Sequence, residues 1–231
     1  SITAGSPTYL EGATLTTMAL TVDNVTLKVT GVTTDAGLTV EGELALAKVV
    51  HPSATPDVTY TAFHMGNVSV TGQISDETFQ SGAVVTLNAL DVNKASTTPS
   101  GGTSPARLNW LKAFDLNGDA TFGGTGDIVD PGAELPEPRA LPIDFSSDMA
   151  LRVKGSVSGV GVDKIFLQAG DVTLSGSAQF AYTKRDGVKV QTPSTPLNNA
   201  TLTTMALTVD NVTLKVAGVT TAAGLTVEGE L

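Results

Sequence analysis

The chain contains no cysteine. Disulfides, thiolate zinc sites, cysteine nucleophiles and covalently attached haem are excluded together. Aromatic residues are scarce at 5%, with one Trp, three Tyr and seven Phe, thin provision for stacking on sugars. Only two histidines occur, His51 and His64, and neither has a second histidine or a carboxylate at metal-ligand spacing in the sequence. No stretch reaches the ~18 consecutive apolar residues of a membrane-spanning helix. Sustained helical periodicity is missing too; "ARLNWLKAF" (106–114) is the best helical candidate and fits a strand equally. Positive charge is short: 13 Lys and Arg against 23 Asp and Glu leave a net charge of −10. Such a surface repels phosphate backbones, so nucleic acid is not an expected partner.

The chemistry-bearing patterns are thin as well. There is no G-x-S-x-G elbow, "SGSA" (175–178) has no base nearby in sequence, and "GGTGD" (123–127) lacks the Lys-Ser/Thr of a phosphate loop. Glu41 and Glu43 share one strand face without a partnering histidine or an aromatic wall, as a solvated face would. No enzyme is expected.

What the sequence does have is alternation and repetition. Of its 231 residues 41% are hydrophobic, mostly Val, Leu and Ala with Thr between them. Branched side chains of this kind suit a pleated backbone. In "ALTVDNVTLKV" (19–29) Leu20 and Val22 keep one parity, while Val25, Leu27 and Val29 keep the other. Period two means strand, and the slip at Asp23-Asn24 means a hairpin turn, a bulge or a corner, because Asn tolerates positive φ. In "GLTVEGELALAKV" Leu38, Val40, Leu44 and Leu46 lie on one side, and Thr39, Glu41, Glu43, Ala45 and Ala47 on the other. The expected core is therefore Leu20, Val22, Val25, Leu27, Val29, Leu38, Val40, Leu44 and Leu46, with Leu207, Val209, Val212 and Leu214 in a second copy.

That second copy is nearly verbatim. Residues 13–44 recur at 200–231, 187 positions later, with two differences: Thr30 against Ala217 and Asp35 against Ala222. The organisation read from this is the end of one unit at 1–12, a complete 187-residue unit at 13–199 and the start of the next at 200–231. Both ends read as cuts through a longer polypeptide. Aligning Leu20, Phe63, Phe114, Phe166 and Leu207 divides the unit into four degenerate sub-repeats of roughly 47 residues. Nearly all the prolines fall in 50–57, 94–106, 130–142 and 191–199, which are read as loops. The expectation is an all-β, elongated, repetitive architecture with solenoid-like stacking of strand units, the alternative being tandem antiparallel β-sandwich domains.

One motif carries a metal candidate. "DLNGDATFGGTGD" opens with Asp115, Asn117 and Asp119 at alternate positions, as calcium loops do. It departs from the helical calcium hand at its sixth position, Ala120, and its twelfth, Gly126. No other cofactor is indicated. Sequons for glycosylation stand at Asn24, Asn67, Asn199 and Asn211, although Asn in a turn and Thr or Ser in the next strand account for them equally.

The order "ARLNWLKAFDLNGDATFGG", "DIVDPGAELPEPRALPIDF", "MALRVKGSV" and "DVTLSGSAQFAYTK" across 106–184 resembles a repeat of very large, adhesin-like bacterial surface proteins. The resemblance implies an extracellular or cell-surface location, a structural spacer role in a filament, stalk or adhesin, adjacent repeats or copies of itself as partners, and no catalytic residues. A β-groove binding module for lipid or glycan is the alternative from a different class.

Overall fold

The computed structural model describes Leu10 and residues 12–30, 35–51, 57–75, 79–98, 105–193, 195–217 and 223–230, with side chains left aside at 27–30, 35, 36, 98, 223 and 224. Nine strands form one antiparallel sheet: β1 (Thr14–Thr30), β2 (Asp35–His51), β3 (Asp57–Ser75), β4 (Phe79–Thr98), β5 (Met149–Ser158), β6 (Ile165–Ala169), β7 (Val172–Val190), β8 (Leu197–Val216) and β9 (Ala223–Glu230). The order across the sheet is β1-β2-β3-β4-β5-β7-β8-β9, and the short β6 fills the gap between β4 and β7 beyond the end of β5. Among the described residues the only helical element is one 3-10 turn at Pro131–Glu134, and no helix is long and apolar enough to cross a membrane. The all-β expectation holds. Stacking proceeds by successive antiparallel strands along one axis, and the second layer that a sandwich requires is not formed by the described strands.

The strands are long: five of them run 17 to 20 residues beyond β1, which itself has 17. A strand of that length must correct its parity wherever the sequence slips, and it does so by bulges. Between Val22 and Val25, β1 sets Asp23 and Asn24 against one residue of β2. Asn24 takes φ 48°, Asn67 of β3 φ 51° and Asn211 of β8 φ 47°. Asn is among the few residues that enter this left-handed region without much strain. The slip is thus a bulge, and its effect is to keep Val25 on the face of Leu20 and Val22. Cross-strand partners share a face, so rows of apolar residues run across the whole sheet. One is Leu20, Leu44, Met65, Leu90, Val153, Tyr182 and Met205; beyond the bulges another is Val25, Val40, Val70, Val85, Val157 and Ala178.

This apolar face is not the core. Leu20 is 51% exposed, Val25 60% and Leu38 41%, while Val22, Val40, Leu44, Leu46, Val209 and Val212 are half-buried and Leu207 and Leu214 are exposed. Leu27 and Val29 have no described side chains. The expected core therefore shares a face as read, yet lies uncovered, because among the described residues that face meets no second layer. The buried cluster sits on the opposite face, where Ala47 and Val49 of β2, Ala62 of β3 and Met149 of β5 meet Trp110, Val129, Ile143 and Phe145. Those four come from the long β4–β5 connection, which folds back over one end of the sheet. Small residues are needed below it: Ala47 and Ala62 are fully buried in the cluster that holds Trp110 and Phe145, and Ala45 is fully buried two residues along β2. "ARLNWLKAF" is neither helix nor strand. Its Trp110 is anchored to the sheet, which sets the path of its backbone. The total accessible surface is 14496 Å², against about 9,800 Å² for a compact chain of this mass. The excess is what an open, single-layered sheet produces.

One residue ties the connection down. Asn93 of β4 is buried; its Nδ2 donates to the carbonyls of Leu108 (3.0 Å) and Ser146 (3.1 Å), and its Oδ1 accepts from Trp110 Nε1 (3.1 Å). Replacing it by Ala takes the partner from Trp110 Nε1 and from the Leu108 carbonyl, each at about 1–3 kcal/mol, while the Ser146 carbonyl keeps the Met149 N–H. Asn93→Ala should lower unfolding stability by about 2–4 kcal/mol in urea, and the fluorescence of the sole tryptophan should shift to the red before the sheet melts. Unchanged emission would place the anchor elsewhere.

Candidate functional site

Two clusters gather the chemistry-bearing side chains. The first is the loop 115–127, which leaves the sheet connection as a tight ring. Asp115 Oδ1 accepts from the backbone N–H of Gly118 (2.8 Å) and Asp119 (3.0 Å), and its Oδ2 from Ala120 (3.0 Å). Asp119 Oδ1 accepts from Thr121 N at 2.7 Å. Asp127 is buried; its Oδ1 accepts from Leu116 (2.9 Å) and Asn117 (3.4 Å), and its Oδ2 from Gly124 (2.8 Å). Gly118, Gly123 and Gly126 have φ between 73° and 95°, and a Cβ on Gly123 would lie 2.3 Å from the Leu111 carbonyl oxygen. The glycines thus let the ring close on itself.

Of the sequence candidates, Asp115 and Asp119 are brought together, with Asp127 as a third carboxylate; ligand atoms of the three lie within 4.8 Å of one another. Asn117 lies in the same ring, but its Nδ2 donates to Asp119 Oδ2 (3.0 Å) and the Thr125 carbonyl (3.1 Å), while its Oδ1 accepts from Asp119 N (2.9 Å). An oxygen-only donor set suits a hard cation such as calcium, and Asp115, Asp119 and Asp127 are the residues that could hold one. The same oxygens already terminate a set of backbone amides, which gives them a structural purpose without an ion. Asp127 was the residue missed. Its signal was an aspartate one position beyond Gly126, after a glycine-rich return.

The second cluster lies under the connection. His64 of β3, Asp91 of β4 and Arg152 of β5 are direct cross-strand neighbours. His64 Nδ1 stands 2.5 Å from Asp91 Oδ1, and Arg152 Nε bonds to Asp91 Oδ2. Asp91 is fully buried, so both its oxygens need partners. No partner for His64 was visible along the chain, because Asp91 is 27 residues away and only strand pairing makes them adjacent. His51 lies half-buried at the end of β2. Ser177 is buried and accepts from Lys164 Nζ at 3.0 Å; Lys164 is exposed at a turn with φ 51°. Glu41 is exposed, and Glu43 bonds to Asn67 Nδ2 at 3.1 Å, beside the β3 bulge. Neither cluster sets a nucleophile, a base and an oxyanion donor around one point. No family model, curated protein or solved structure matches the chain.

Carboxylate pairing makes stability depend on acid. The amide of Thr121, and then Asn117, hold the Asp119 carboxyl below its ordinary value. Asp148 is held low by the Ser146 hydroxyl and Arg185, and Asp186 by Thr201, Lys184 and Arg107. A carboxyl with a depressed folded-state pKa stabilises fully above its unfolded value of ~3.9 and loses that contribution as pH falls through the folded one. Melting temperature should therefore be flat down to about pH 4.5 and fall below it. Asp127→Ala strands three amides and should lower stability by about 2–4 kcal/mol at neutral pH. Urea titration checks this, and a variant as stable as the parent would remove Asp127 from the loop's support.

Proposed function

We propose that the chain is a structural repeat unit of a long extracellular filament, stalk or adhesin, in which successive 187-residue units extend one continuous sheet. The observation that carries this reading is the placement of the second copy. β8 repeats β1 in sequence, and β8 pairs with β7, so the strand that starts the next unit adds directly to the last strand of the previous one. β8 and β9 also repeat the pairing of β1 and β2: Val22 opposes Gly42 and Leu27 opposes Leu38, as Val209 opposes Gly229 and Leu214 opposes Leu225. Even the side-chain contact recurs, with Thr26 and Thr39 hydroxyls 3.2 Å apart and Thr213 and Thr226 hydroxyls 3.1 Å apart. A unit that ends by building its own beginning has no natural stop. The cell-surface location follows from the resemblance of 106–184 to adhesin-like repeats and belongs to the same proposal.

The open apolar face favours one second reading, a β-surface that holds acyl chains. Purified chain carrying bound lipid in native mass spectrometry would support it, and lipid-free chain with no uptake from vesicles would end it.

The structural reading has a length scale. One unit contributes six strands to the continuous path, β1 to β5 and β7, and strands lie about 4.8 Å apart. Chains carrying two, three and four units should lengthen by about 29 Å per unit in small-angle scattering and electron micrographs. Increments of 40 Å or more, in the manner of beads (roughly the span of separate ~100-residue domains), would refute a continuous sheet.

A further inference from the structure

The bulges come with a matching part. Opposite the Asn67-Val68 bulge of β3 stands Gly42 of β2, with φ 156°; a Cβ there would lie 2.5 Å from Val68 Cγ2. Opposite the Asn211-Val212 bulge of β8 stands Gly176 of β7, with φ 143°; a Cβ there would lie 2.7 Å from Val212 Cα. The flanking pairs correspond as well. Glu41 opposes Ser69 and Glu43 opposes Gly66, as Ser175 opposes Thr213 and Ser177 opposes Asp210. An Asn-Val bulge is therefore seated, on the edge facing the preceding strand, against one glycine in a conformation that side chains rarely adopt.

β1 has the bulge without the seat. Asn24 takes the same left-handed φ as Asn67 and Asn211, and its sequence over 13–29 is that of 200–216. Among the described residues β1 pairs with β2 alone, and no strand lies along its other edge. An unpaired edge of this length is a template for another strand. The strand it fits is known from the chain itself, because the identical β8 already lies on it.

We infer that the outer edge of β1 is a docking surface for β7 of a second copy, in the register that β8 holds. In that register Ser177 opposes Asp23, Ala178 opposes Val22, Phe180 opposes Leu20 and Tyr182 opposes Met18. Gly176 receives the Asn24-Val25 bulge, and Gln179, whose Nε2 lies 3.3 Å from Asp210 Oδ2 in the chain, meets Asp23. Residues 200–216 then have a second role as an internal cap. They occupy the seat on β7 at the high effective concentration of a tethered segment, about millimolar, and hold the β7 edge closed against other copies. The inference deepens the repeat-unit reading and takes its meaning from it, but it concerns which edges pair and not what length they build.

The full chain tests it. Ala206→Pro with Thr208→Pro, at positions opposite Ala181 and Gln179 whose N–H groups face β7, removes ladder donors from β8 and should release it from β7. Light scattering should then show monomer giving way to head-to-tail oligomers, with the weight-average mass at least doubling over a tenfold rise in concentration. Adding Gly176→Val, which fills the seat and leaves β1 intact, should restore the monomer, and so should adding Ala19→Pro with Thr21→Pro, which removes donors from the outer edge of β1. In the released variant, Ala178→Cys mixed with Val22→Cys should form an intermolecular disulfide on oxidation, whereas Gln179→Cys with Val22→Cys, one residue out of register and on opposite faces, should not. A released variant that stays monomeric overturns the inference. Assembly that survives Gly176→Val, or cross-linking indifferent to register, overturns it equally by showing non-specific association. If the cross-link forms in register while multi-unit chains fail to lengthen by the expected step, the pairing stands and the filament reading falls.

Discussion

An asparagine with positive φ set against a glycine is the constraint on which the sheet depends. Strands of 17 to 20 residues cannot hold one apolar face by alternation alone when their sequence slips parity halfway. Without the bulge at Asp23-Asn24, Val25 would turn to the face of Thr17 and Thr21, and every neighbouring strand would have to follow. The bulge absorbs the slip locally. It also fixes register, since a strand displaced by one residue brings a side chain where only Gly42 or Gly176 fits. One local device thus governs facing, pairing and order along the sheet.

The two faces then meet different fates. One end of the threonine-bearing face is covered by the β4–β5 connection, anchored through Asn93 and filled by Trp110 and Phe145. That end has the dense core, and its sheet positions are small. The aliphatic face has large residues and no described cover. The contrast shows between the repeat copies: Leu15 packs half-buried against the core cluster, whereas its counterpart Leu202 is 46% exposed. The strands are the same in sequence; among the described residues the connection packs over the first alone.

Much of this was legible in the sequence. Alternation identified the strands and the residues that share a face, and the asparagines marked the bulges. Phe63 and Leu207 take the places in β3 and β8 that Leu20 takes in β1, each before a bulge. The aligned segment at 113–122 instead forms the strand-free aspartate ring, and that around Phe166 forms the β6–β7 hairpin. Burial was not legible. Binary patterning says which residues avoid water together, but covering them needs a second layer, and that is a tertiary fact. Ala45 and Ala47 read as an outer face because alanine is nearly neutral in such patterns, and Trp110 sits some sixty residues away along the chain. The His64–Asp91–Arg152 row was hidden for the same reason: its members are neighbours only across strands.

The near-identity of the two copies has a physical rationale in this arrangement. A strand in the middle of the sheet must fit three surfaces at once: one neighbour on each edge and whatever lies over its faces. β8 satisfies β7 through the Gly176 seat and β9 through its own bulge, so few of its positions are free to change. The two differences fall at the loop end of the copied ladder, away from the bulges. Thr30 and Asp35 are the last pair of the β1–β2 ladder, directly opposite one another beside the hairpin loop. Their counterparts, Ala217 and Ala222, have changed together, and Ala217 retains only a backbone bond, from its N–H to the Asp171 carbonyl at 2.7 Å. One copy has a polar pair where the other has two alanines, at the loop end of the β1–β2 ladder and away from the glycine seats. Conservation of the rest is then what a sheet that continues through its own copy requires, because each strand of the copied segment is both an end of one unit and the template for the next.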